Sequence, residues 1–163
     1  MRGWLKSGHE AKGFETIQRH FIEMLEDGRH IFDAASNALL GGTDAEAIRE
    51  DLFATDARIN RTEQQIRRLI VVHGTVHGAQ SFPALLVMMS LAKDAERIGD
   101  YAKNIFDLAT QRPFLGSDAE RRELVSLKDE ISRLLVRTGH IYLSQSAPDA
   151  TKVNHHQNQA PDL

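Results

Sequence analysis

Residues 93–109 read KDAERIGDYAKNIFDLA. Ala95, Ile98, Ala102, Ile105 and Ala109 recur three and four apart, the spacing of one face of an α-helix. Glu96 and Asp100 lie four apart, so their carboxylates stack on one side of that helix. At about 100° per residue the pair is predicted to project roughly opposite the apolar stripe, as a surface feature. Like charges at this spacing cost a helix about 0.2–0.5 kcal/mol. Gly99 lies between them and costs a helix interior roughly another 1 kcal/mol. Two penalties in one turn point to a function or to a special packing need.

Working outward, the same periodicity fills most of the chain. Residues 14–40 read as a long helix with Phe14, Ile17, Phe21, Met24, Gly28, Ile31, Ala35 and Ala38 on its seam, and Gly41-Gly42 supplies a left-handed stop. Thr43-Asp44-Ala45-Glu46 has the form of a capping box for a second helix over 44–73. That helix carries Ala45, Ile48, Leu52, Ile59, Ile66 and Leu69 inward, with Asp56, Asn60 and Glu63 along its flank. Residues 73–78 (HGTVHG) read as a turn, and the third helix as 83–111, stopped by Pro113. Ser117-Asp118-Ala119-Glu120 is a second capping box, opening a helix over 118–145. These elements predict an all-α protein: an antiparallel, up-and-down three-helix bundle over 14–112 plus a fourth helix within 113–145. Residues 1–13 hold three glycines and no sustained period, and read as a mobile arm. Residues 146–163 are polar, hold two prolines and read as a disordered tail.

Composition narrows the function. The 163 residues suggest one domain. A net charge of −3 argues against general nucleic-acid binding, which needs a clustered basic excess. The chain has no cysteine, so thiol catalysis and disulfides are excluded. The longest apolar-rich run, residues 82–92, is well short of the roughly 20 residues that span a bilayer. No direct membrane insertion is expected, and a soluble, cytoplasmic protein is. No nucleophile–base pair, P-loop or cofactor fingerprint stands out, so the expectation is a protein that is not an enzyme.

The run Asp94-x-Glu96-Arg97-Ile98-Gly99-Asp100-Tyr101-Ala102-x-Asn104-Ile105 resembles the signature of the PhoU family, regulators of phosphate uptake. The segment 56–66, DARINRTEQQI, resembles the family's second helix. The family's Glu/Asp-x-x-x-Asp motif binds metal clusters. By resemblance, Glu96 and Asp100 are metal-ligand candidates, with Asp56 as a secondary one. Carboxylate ligands suit oxygen-preferring cations, so iron, zinc and magnesium all stay open. The alternative for the same residues is a solvated acidic face, with Lys103 reaching Asp100 and Asp107. Asp56 and Glu63 have a parallel alternative as partners of nearby arginines.

The resemblance also implies partners: the ATPase subunit of the phosphate ABC transporter and the phosphate-sensing histidine kinase. The expected role is a non-enzymatic regulator or adaptor of phosphate transport and phosphate-starvation signalling, acting at the inner membrane face through those partners. Asp107 extends the acidic stripe that would meet a basic partner. An accessory role to a low-affinity phosphate permease, or a truncated helical interaction module, are the alternatives. A di-iron enzyme or metal store fits less well, because no Glu-x-x-His occurs in the chain.

Helix four echoes helix one: Met24-Leu25 aligns with Leu134-Leu135 and His30-Ile31-Phe32 with His140-Ile141-Tyr142, about 110 residues apart. PhoU proteins are built from two three-helix repeats. A full second repeat would run to about 220 residues, and the sequence ends at Leu163. The fourth helix is therefore expected to be the first of an incomplete repeat. Its face around Leu127, Ile131 and Leu134 would be left uncovered and is predicted to meet a second copy in a homodimer.

Overall fold

The computed structural model describes the backbone of residues 4–111 and 114–146, and the side chains of residues 13–111 and 114–143. Four helices follow in order: α1 Trp4–Leu39, α2 Ala45–His77, α3 Phe82–Gln111 and α4 Asp118–Ser146, with a short 3-10 turn, Ala79–Ser81, before α3. There is no strand among the described residues. The all-α reading holds.

Side-chain pairs set the directions. Asp27 meets Arg58 and His30 meets Asp51, so α2 runs antiparallel to α1. Asp56 meets Lys103 while Gly74 faces Phe82, so α3 runs antiparallel to α2. Helices α1, α2 and α3 pack on one another around a single core that includes Ile17, Met24, Ile31, Leu52, Ile59, Ile66, Leu85, Met88 and Phe106. Helix α4 is added to the outside of α1. Ser132 donates to Asp33 at 2.9 Å, and Tyr142 sets its ring edge-on to Phe21 at 5.1 Å while its hydroxyl reaches the Met88 sulfur. α4 is thus antiparallel to α1.

Several boundaries differ from those predicted. α1 begins at Trp4 and takes in most of the expected arm. Glycine disfavours a helix locally, but Gly13 packs where a Cβ would lie 2.8 Å from His73 Nδ1, so packing on α2 overrides propensity there. The expected turn at 73–78 is the last turn of α2, which runs on to His77. Gly74 is there for close approach: a Cβ would sit 3.1 Å from the Phe82 ring. The chain turns instead at Gly78, whose φ of 78° only glycine adopts freely. Gly41, with φ 83°, follows the end of α1 as predicted.

The two capping boxes diverge. At α4, Glu120 N donates to Ser117 Oγ at 3.3 Å and Ser117 N to Glu120 Oε2 at 2.7 Å, the full reciprocal pattern. At α2, Asp44 replaces Thr43 as the cap and accepts from Glu46 N at 3.1 Å. Glu46 does not reach back, because Arg49 holds both its oxygens, at 2.8 and 2.7 Å. The tail expected over 146–163 lies outside the described residues apart from Ser146, as do residues 1–3 and the Pro113 stop.

Candidate functional site

The signature helix α3 is rotated relative to its predicted orientation. Its buried residues are Leu85, Met88, Ala92, Ala95, Gly99, Ala102 and Phe106. Ile98 and Ile105, predicted at the centre of the stripe, pack only at its margin. The buried face is turned by about 60° toward the acids. The cause is the run of small residues on that side. At Gly99 a Cβ would lie 3.2 Å from Asp56 Oδ1, 3.4 Å from Ile59 Cδ1 and 3.7 Å from Ile31 Cδ1. The glycine lets α3 seat against both neighbouring helices at once.

This rotation separates the two motif acids. Asp100 is surface-facing, its side chain 48% exposed. Glu96, predicted to project outward with it, is tucked in at 13% exposure. Asp56 on α2 is 12% exposed. Each acid has a cation in place. Lys93 donates to Glu96 Oε2 at 2.6 Å. Lys103 stands between helices, 3.1 Å from Asp56 Oδ2 and 3.0 Å from Asp100 Oδ1. Asn60 adds a donor to Asp56 Oδ2 at 3.2 Å. Glu63 is buried and paired with Arg67, as its sequence neighbours suggested. Arg58, by contrast, leaves its own helix and clamps Asp27 of α1 through two bonds, at 2.6 and 2.7 Å.

Burial of Lys103 opposes its charge. Hydrogen bonds to Asp100 and Asp56, with their Coulombic attraction, outweigh that cost and hold its pKa above the ordinary lysine value. Hydrogen bonding to Asp27 likewise raises that of Arg58.

A divalent ion needs several oxygen or nitrogen donors converging on one point. Among the described residues no three histidine or acidic side chains gather to hold one. Glu96, Asp100 and Asp56 are instead neutralised by lysines, so these residues do not fit a metal as they stand. The Asp100–Lys103 pair was legible at its i, i+3 spacing. The Lys103–Asp56 pair was not, because 47 residues separate its members.

The predicted partner-binding residues lie on two surfaces. Asp107 is exposed on α3, as are Tyr101 and Leu108 of the same helix. Leu127, Ile131 and Leu134 are exposed on α4. Leu127 and Ile131 also line an apolar cleft of about 190 Å³ with Phe32, Leu39 and Ile105.

The described part is a three-helix bundle with ion-paired ridges and a fourth helix packed on its outside. The chain belongs to the PhoU family: the profile of the PhoU domain matches residues 21–109, from the middle of α1 almost to the end of α3. Comparison with curated proteins and with solved structures gave no match. The match ends before α4, so it does not count repeats. Family membership links the chain to the regulation of phosphate transport. No described helix is long and apolar enough to cross a membrane.

Proposed function

We propose that this chain is a non-enzymatic adaptor that regulates phosphate transport and phosphate-starvation signalling by binding protein partners through its helical surfaces. The observation that carries the reading is the PhoU-domain match over 21–109. The partners follow from the family: the ATPase subunit of a phosphate ABC transporter and a phosphate-sensing histidine kinase, met in the cytoplasm at the inner membrane face. On α3, the exposed Asp107 offers negative charge to a basic partner. Exposed charges of this kind act on encounter rate and specificity and weaken with salt.

Deletion of the gene is expected to change both phosphate uptake and a phosphate-starvation reporter, with rescue by the wild-type chain. Rescue by Asp107→Asn should be incomplete, and in a reconstituted binding assay added salt should weaken the native chain more than this variant. Unchanged uptake and reporter output at both high and low phosphate would defeat the regulatory reading and leave a helical interaction module unconnected to phosphate.

The α4 face supports a homodimer within the same reading. Leu127, Ile131 and Leu134 form a row at helical spacing beside the apolar cleft. Two copies of α4 laid against each other would cover both rows. Sedimentation velocity should show a dimer that Leu127→Gln/Ile131→Gln/Leu134→Gln shifts to monomer. A native chain that sediments as a monomer at high concentration would refute the dimer alone.

A further inference from the structure

We infer that Lys103 is a resident cation of the acidic ridge: its ammonium occupies the place between Asp56 and Asp100 that a divalent ion would need to use both carboxylates. The inference is independent of the phosphate-regulatory reading, since it concerns only what fills the ridge.

The geometry makes the two occupants exclusive. Lys103 Nζ is nearly equidistant from Asp56 Oδ2 and Asp100 Oδ1, at 3.1 and 3.0 Å, and so bridges α2 and α3. A metal ion binding both oxygens at about 2.0–2.6 Å would have to stand in the same gap. Two cations cannot share it, because each repels the other and no third acid gathers there to offset the charge. Gly99 lies on the inner side: a Cβ added there would stand 3.2 Å from Asp56 Oδ1, so the α3 backbone passes close to the carboxylate. From along α2, Asn60 Nδ2 donates to Asp56 Oδ2, the oxygen that Lys103 meets, at 3.2 Å. Lys103 is itself partly covered, its side chain 27% exposed.

Tethering decides the competition. A group attached to the site competes at an effective concentration on the order of millimolar, whereas a free ion competes at its own concentration. Lys103 also sits one turn from Asp100 on the same helix, so little ordering is needed to place it. Lys93 does the corresponding work at Glu96 from three residues upstream. The ridge is therefore a self-neutralised, metal-free surface.

The test titrates Mn²⁺, an oxygen-preferring probe, into the full chain and its variants, reading bound metal by electron paramagnetic resonance and the shift in Tm. The native chain is expected to show no Tm shift up to about 1 mM Mn²⁺. Lys103→Met should bind at least about tenfold more tightly than the native chain and gain in Tm with added metal. The gain should vanish in Lys103→Met/Asp56→Asn and in Lys103→Met/Asp100→Asn. Lys103→Gln, which keeps a neutral donor, is measured beside it, with far-UV circular dichroism checking that each variant folds. The inference is overturned if the native chain already takes up Mn²⁺ through Asp56 and Asp100. It is equally overturned if folded Lys103→Met gains nothing, or if neither Lys103 variant folds, which would make the lysine a structural pillar.

Discussion

Gly99→Leu should lower the stability of the bundle by about 3 kcal/mol, against a total of about 5–15 kcal/mol for a domain of ordinary stability. The position is buried, and a first carbon there would crowd Asp56 and touch Ile59 and Ile31, leaving no room for a larger side chain. Overpacking of such a site costs about 1–3 kcal/mol. Displacing the Asp56 carboxylate from Lys103 and Asn60 adds the penalty of a poorly satisfied buried acceptor, about 1–3 kcal/mol. Relief from a helical glycine returns about 1 kcal/mol. Gly99→Ala, by contrast, should be near neutral, because the helix gain offsets a shift of Asp56 by a few tenths of an ångström. Urea unfolding of both variants measures the difference. If Gly99→Leu falls within about 1 kcal/mol of the native chain, α3 does not seat on α2 at this glycine.

Phe106→Ala should cost about 3–5 kcal/mol, the range for removing a buried aromatic ring. Phe106 is among the largest fully buried side chains. Its ring meets Phe53 edge-on, with centroids 5.8 Å apart and planes at 87°, and the Arg49 guanidinium lies 5.2 Å above it. Leu108→Ala, two residues along and exposed, should change stability by no more than about 0.5 kcal/mol. The contrast probes the rotation of α3, because the apolar period read from the sequence favours Ile105 and Ala109 and leaves Phe106 aside. Equal losses at Phe106 and Leu108 would mean that α3 presents a different face to the core.

The functional consequence of that rotation is local. Turning α3 by about 60° brings Glu96 toward the core margin and leaves Asp100 outside. The two acids of one motif thus do different work. Glu96 is a tucked, lysine-paired side chain, and Asp100 is half of a bridge between helices. Asp107 remains exposed. Neutralising Asp107 therefore changes surface charge without touching the Lys93–Glu96 or Lys103–Asp56 pairs.

Much of this was determined by sequence alone. Periodic apolar residues specify helices because a helix must bury one stripe, and the seam of α1 from Ile17 to Ala35 is buried as its spacing requires. Glycine with positive φ ends α1 at Gly41, and the Ser117–Glu120 box opens α4, because these effects act within a few residues. The family signature lies in a contiguous run for the same reason. What tertiary structure decided is whatever depends on the distance between helices. Small residues at Ala92, Ala95 and Gly99 draw α3 inward, and close approach outweighs the larger but poorly placed Ile98 and Ile105. Gly13 and Gly74 serve packing where local propensity predicts breaks. Lys103 reaches Asp56 only because α2 and α3 lie side by side, a neighbourhood created by folding across 47 residues of chain.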